Sequence, residues 1–231
     1  MVGRIIETEA CVAEGAKWLA AREARFAHAL SLTGPLPLRR RPDGFTALLD
    51  AIVSQQVSVA SADAIWRRLE AAELTGEGRV AGASEDDLRA CGLSRQKIRY
   101  ALALSQARLD YPALRVAPDG DVVAALVALP GIGRWTAEIY AMFSLGRADV
   151  FAPGDLALQE ATRVLFGLPE RPGEKALRAM AEAWSPWRAV AARAWLLLHR
   201  PLWFDEVFTV WAARLTPRNL LAVLENDSGP P

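Results

Sequence analysis

Leu129-Pro130-Gly131-Ile132-Gly133-Arg134-Trp135-Thr136-Ala137 is the stretch on which the fold turns. An apolar run, Val122 to Ala128, precedes it, and Arg134 to Leu145 continues it with apolar residues at helical spacing. Two glycines around one isoleucine let the backbone turn where a Cβ would clash, so the pattern predicts two helices joined by a tight hairpin over about 122–145. The same turn aims N–H groups outward beside a helix N-terminus, a geometry that suits a phosphate. Further on, Asp149-Val150-Phe151-Ala152-Pro153-Gly154 reads as extended or turn-like and delivers Asp155 to the start of another helix.

The remaining segments also read as helix. Residues 9–31 form one Ala- and Leu-rich helix with Trp18, Phe26 and Leu30 on a stripe, and Gly34, Pro35, Pro37 and Pro42 mark an irregular connection after it. Phe45 to Val53 is a helix that breaks at Ser54-Gln55-Gln56, and Ser58 caps the next one to about Ala72. Gly76, Gly78 and Gly82 predict a loop. Ser84 and Asp87 have capping-box spacing before a short helix that ends at Gly92. Ser94 to Leu109 is amphipathic, with Ile98, Ala101, Leu102 and Ser105 on one face. Asp119 or Asp121 starts the first hairpin helix. Asp155 to Phe166, Glu174 to Trp184, Pro186 to His199 and a stretch near Phe204 to Leu215 complete the helices, before a frayed tail from Glu225 to Pro231. No run alternates with β-branched enrichment and no repeat is evident, so the predicted class is all-α.

The 231 residues, 52% hydrophobic and 23% charged, can bury a real core. No run of about 18 uncharged apolar residues occurs, which argues against a membrane span. Glu7, Glu9, Glu14, Lys17 and Arg22 interrupt the first segment, unlike a secretion signal, so a cytoplasmic location is expected. Cys11 and Cys91, with only His28 and His199 as histidines, are too few for a disulfide framework or a zinc site and read as buried structural thiols. Lys plus Arg number 27 and Asp plus Glu 27, so the net charge of zero excludes a long electrostatic footprint on a polyanion. Arg39-Arg40-Arg41, Arg67-Arg68 and the trio Arg95, Lys97, Arg99 are either solvated faces or local phosphate contacts.

Four features carry chemistry. In a helix–hairpin–helix, the Gly131 and Gly133 amides meet one phosphate, and the carbonyls of Val127, Leu129 and Ile132 hold a monovalent cation, Na+ or K+, against it. Asp155 follows Pro153-Gly154 and reads both as a helix N-cap and as a carboxylate poised for chemistry. The two are compatible, because a helix N-terminus favours an anion and a fixed anion is what a developing oxocarbenium sugar needs. Gln55-Gln56 is either a plain polar turn or a plug that fills the gap left by an extruded nucleotide, with Gln56 the first choice and Gln55 the second. Most of the eight tryptophans read as core, but Trp135, on the first turn beyond the hairpin, offers a stacking floor for a cationic purine.

Four blocks together resemble the helix–hairpin–helix (HhH-GPD) DNA glycosylase superfamily, and within it the 3-methyladenine DNA glycosylase II type. They are Ile52-Val53-Ser54-Gln55-Gln56-Val57-Ser58, Gly92-Leu93-Ser94-Arg95-Gln96-Lys97, the hairpin with Asp149-Val150-Phe151 and Asp155, and Pro186-Trp187-Arg188. The resemblance implies two helical lobes around a cleft, one from 45–151 and the other from 1–44 together with 152–231. It implies cleavage of the N-glycosidic bond of alkylated purines in double-stranded DNA, with Asp155 as the catalytic aspartate and Trp135 lining the base pocket. Gln55, Gln56, Ser58, Lys97, Gly131, Gly133, Arg134 and Thr136 would contact DNA. Relatives that nick the backbone carry a lysine where Trp135 stands, so a monofunctional enzyme is expected, and no cysteines follow Cys91 to hold an iron–sulfur cluster. Few residues precede Phe45, which resembles the compact subtype without an N-terminal α/β domain. Two pocket positions that are usually aromatic fall on Ile139 and Leu156, and a C-terminal stacking tryptophan falls on Leu196, beside Trp195. No cofactor is required, and a monomer with no membrane partner, acting near the nucleoid, is expected. A non-catalytic binder of damaged or abasic DNA, a glycosylase for oxidised or mismatched bases and a helical scaffold unrelated to DNA are the rival readings.

Overall fold

The computed structural model describes residues 2–198, with side chains through 194. Helices run in the order α1 (Glu9–Ala20), α2 (Ala24–Thr33), α3 (Phe45–Val53), α4 (Val59–Ala71), α5 (Glu77–Gly82), α6 (Glu85–Ala90) and α7 (Arg95–Gln106). They continue as α8 (Tyr111–Val116), α9 (Asp119–Val127), α10 (Arg134–Phe143), α11 (Leu156–Phe166) and α12 (Glu174–Ala181), a 3-10 turn (Glu182–Trp184), and α13 (Arg188–Leu198). The described chain is all-helical, and its one β-bridge joins Ile5 to Arg147.

Side-chain caps explain most of the starts. Ser58 and Ser94 accept the Ser61 and Lys97 N–H groups at α4 and α7, and Ser84 and Asp87 make the reciprocal capping box at α6. Asp155 caps α11. The predicted hairpin is α9 and α10, joined by residues 128–133. Pro118, not Asp119 or Asp121, takes the cap position of α9, and both aspartates lie in its first turn.

Several expectations are corrected. The helix over 9–31 is two helices, because Glu23 adopts an extended backbone and its carboxylate accepts the Arg25 N–H as a new cap. The glycine-rich stretch 76–82 contains α5, anchored by the fully buried Val80 and followed by the β-conformation of Ala83. α8 went unforeseen, although Asp110 caps it and Pro112 stands in its first turn. Leu104 is fully buried on α7, and Leu102 packs against the same core but is only partly buried. Cys91 is buried as expected, whereas Cys11 is only half-buried. The helix near Phe204 to Leu215 and the tail lie outside the described residues.

The packing places the two chain regions that frame Asp155. α1, α2, α11 and α13 pack on one another, with α12 against α11. Trp184 lies at their centre, with edge-on contacts to Phe26 and Phe151 at centroid distances of 5.8 and 5.6 Å. α3 packs on α4, α7 and α10, and α7 also meets α5 and α6, while α9 and α10 pair as the hairpin. One continuous apolar cluster links all of these. An extended N-terminal segment closes on the chain's middle, with Ile6 N–H donating to Gly146 carbonyl at 2.7 Å and Ala148 N–H donating to Arg4 carbonyl at 3.0 Å.

Candidate active site and nucleic-acid interface

The hairpin turn is built from Leu129 to Gly133, with Ile132 N–H donating to the Leu129 carbonyl at 3.1 Å. Its two glycines do different work. Gly131 sits at φ +86°, and a Cβ there would overlap the Tyr100 ring, so only glycine fits. Gly133 has φ −78° and ψ 166°, open to any residue, and a Cβ there would meet nothing within 4 Å. It caps α10 without a side chain, leaving the first-turn N–H groups without a side-chain acceptor. The open space at Gly133 therefore lies where a phosphate would approach. Among the described residues no donor reaches the Val127 or Ile132 carbonyls, and Leu129 accepts only from Ile132. Backbone carbonyl oxygens of this kind are the donor type that a hard cation takes as ligands.

Arg134 stands exposed at the start of α10, its Nε donating to Glu138 at 3.1 Å. Glu138 is buried and also accepts from Arg178 at 2.9 Å, so the pair ties α10 to α12. Thr136 is buried, so its side chain does not face solvent as a DNA contact would.

The loop after α3 holds the predicted plug. Gln56 is exposed, makes no hydrogen bond among the described residues and sits at φ +55°, a left-handed conformation uncommon for a side-chain-bearing residue. The exposed Val57 and Val59 follow it. Three of its predicted DNA-contacting neighbours are engaged elsewhere. Gln55 donates through Nε2 to the Gly131 carbonyl at 2.8 Å, so it anchors the hairpin instead of reaching outward. Ser58 is occupied as the α4 cap. Lys97 is turned inward, donating from Nζ to the Val53 carbonyl at 2.7 Å, and burial lowers its pKa.

Asp155 stands between these surfaces and α11. Oδ1 accepts the Ala157 and Leu158 N–H groups at 2.8 and 3.1 Å, and Oδ2 accepts the Trp135 indole N–H at 3.1 Å. These three hydrogen bonds fix the direction of the carboxylate. Trp135 is 45% exposed, so its ring remains open to a partner. Leu156 is exposed beside Asp155, and Ile139 is half-buried one turn along α10 from Trp135. The side chains of Trp195 and Leu196 lie outside the described residues.

The turn carrying Asp155 is braced from several directions. Buried Gln159 donates to the Pro153 carbonyl at 2.8 Å, and Asp155 N–H donates to the Ala152 carbonyl at 3.0 Å. Arg188 grips Asp149 with two bonds of 2.8 and 2.9 Å, and Ser185 adds a third at 2.9 Å. Gln159, Glu138, Arg178 and Tyr100 were not singled out from sequence. The four-residue spacings Arg134 to Glu138 and Asp155 to Gln159 were the available signal.

Comparison with known proteins places the chain among DNA repair proteins. The family model described as HhH-GPD superfamily base excision DNA repair protein matches residues 49–188. The chain is similar to DNA-3-methyladenine glycosylase 1 of Schizosaccharomyces pombe, with 29% identity over 161 residues that cover 66% of this chain and 71% of that one. It is similar in structure to the DNA-3-methyladenine glycosidase of Bacillus halodurans, with a TM-score of 0.74 and 34% identity over 83% of this chain and 91% of the other. A further match is the Schizosaccharomyces pombe 3-methyladenine DNA glycosylase in complex with abasic DNA, with a TM-score of 0.69 and 25% identity over 79% of this chain and 95% of that one.

Proposed function

The chain belongs to the HhH-GPD superfamily of base excision DNA repair proteins, and from that premise we propose that it is a monofunctional DNA-3-methyladenine glycosylase acting on alkylated purines in double-stranded DNA. The observation that carries this reading is the Asp155 carboxylate, held by the α11 N-terminus on one oxygen and by the exposed Trp135 indole on the other.

The hairpin grips one phosphate through the N–H groups around Gly133. The carbonyls of Val127, Leu129 and Ile132 would hold a monovalent cation, which would supply positive charge beside that phosphate. Gln56 fills the gap in the stack while the damaged nucleotide swings out. Its base lies against Trp135, with Ile139 and Leu156 at the pocket wall. Alkylation at N3 or N7 leaves the base cationic, so the face of the indole attracts it. As the C1′–N bond breaks, its electron pair leaves with the base and neutralises it. Positive charge moves to the sugar, where the Asp155 anion stabilises it. Water adds to C1′ from the side Asp155 orients and loses its proton, leaving an abasic site and a free base. Trp135 offers no amine to form a Schiff base, so the backbone stays intact. Among the described residues, 45–151 act as one lobe and 2–44 with 152–198 as the other. The protein works as a monomer in the cytoplasm at the nucleoid, and among the described residues no helix is long and apolar enough to cross a membrane.

Methylated duplex DNA provides the test. Wild type is expected to release free 3-methyladenine, Asp155→Asn to lose nearly all release, and strands to break only after alkali. Wild-type rates from Asp155→Asn would overturn the mechanism, and breaks without alkali would overturn the monofunctional assignment.

A further inference from the structure

Gln55 lies beside the plug without being part of it. Its amide reaches across to the hairpin, donating to the Gly131 carbonyl at 2.8 Å, although the two residues are 76 apart in sequence. α7 joins the same two places. Lys97 holds the end of α3 through the Val53 carbonyl, two residues before Gln55, and Tyr100, three residues along α7, lies against the Cα of Gly131. Gln96 fixes Tyr100 through its hydroxyl at 2.5 Å. The loop, the hairpin and α7 therefore form a closed triangle, and Gln55 is its only side-chain bond running directly from loop to hairpin among the described residues.

Resting on the proposed glycosylase reading, we infer that Gln55 is a positioning residue that makes phosphate capture and plug insertion one event. The physical argument is rigidity. Gln56 follows Gln55 directly, holds a left-handed backbone and has no hydrogen bond of its own among the described residues. Without an anchor, the loop would leave that conformation, and ordering it again would cost free energy at the moment of insertion. With Gln55 tied to Gly131, a phosphate seated beside Gly133 fixes the height of Gln56 over the stack in advance. Two sites linked by one rigid element show a coupling free energy, and that coupling is measurable.

The experiment is a double-mutant cycle repeated in two backgrounds. Gly133→Ala places a methyl in the phosphate approach, and Gln56→Ala removes the plug. Affinity for a duplex with a tetrahydrofuran abasic analogue is measured for each variant and for the pair. In wild type the combined loss is expected to fall short of the product of the single losses by about fivefold or more. In Gln55→Met, which keeps the length but removes the donor, the two losses are expected to multiply. If Gln55→Met is unfolded, Gln55→Glu keeps a polar side chain of the same size, again without a donor, and the same outcome is expected. Multiplicative losses in wild type, or coupling that persists in the Gln55 variants, would overturn the proposal, as would unfolding of both variants, which would make Gln55 a structural clamp alone. Failure of the glycosylase reading is seen separately: Gln56→Ala would then leave abasic affinity unchanged in every background, and wild type would release no base.

Discussion

Asp155→Asn separates two duties of one side chain. Asparagine caps a helix about as well as aspartate, so Tm should stay close to wild type while base release falls by at least about 100-fold. Asp155→Ala should lose the cap as well, at about 1 kcal/mol of stability in a denaturant titration. Trp135→Phe keeps a stacking face and removes the donor to Oδ2, so kcat should fall roughly tenfold or more with little change in KM. An equal rise in KM would mean that the indole acts on the base alone. The two hairpin glycines are expected to part in the same way. Gly131→Ala should destabilise the fold by about 1–3 kcal/mol, from its left-handed backbone and the Tyr100 ring. Gly133→Ala should leave Tm nearly unchanged and weaken DNA binding about tenfold, in a comparison of melting and of binding to one duplex.

At the scale of elements, what could be read in advance was what short-range chemistry decides. Ser58, Ser84 with Asp87, and Asp155 announced their helices because a cap is a bond between near neighbours. The Gly131-Ile132-Gly133 turn was legible for the same reason. Lys97 was not, since a lysine is normally solvated and only the distant Val53 carbonyl explains its burial. The bond from Gln55 to Gly131 was not legible either, because its partner lies 76 residues along the chain. α5 escaped notice because three glycines outweighed the single buried Val80 that anchors it. Long-range pairs also set a pH response. Arg115 donates two hydrogen bonds to Asp43, at 2.6 and 3.0 Å, and holds its carboxyl below the usual range. The folded pKa is the lower one, so the stabilisation is complete above about pH 4, the unfolded value, and disappears as pH falls through the folded value. The Tm gap between wild type and Asp43→Asn should therefore be full at pH 6 and narrow below pH 4.

For the whole molecule, zero net charge and pervasive pairing of arginines define how it meets DNA. Arg4, Arg79, Arg89, Arg115, Arg163 and Arg188 are all neutralised by carboxylates. Arg95 and Arg99 are exposed without an ion pair among the described residues. With about three phosphates engaged, log affinity should fall with log salt at a slope near −3, at about −0.9 per phosphate. A slope near −8 would reveal a broad basic surface instead.

The pairing of Ile5 with Arg147 also has a consequence for synthesis. A ribosome adds about 5–20 residues per second, so Ile5 emerges from the tunnel roughly 7 to 28 seconds before its partner does. Throughout that interval α1 and α2 have no α13 to cover their apolar faces. A translational pause before residue 147 should therefore lengthen the exposure of the nascent amino end.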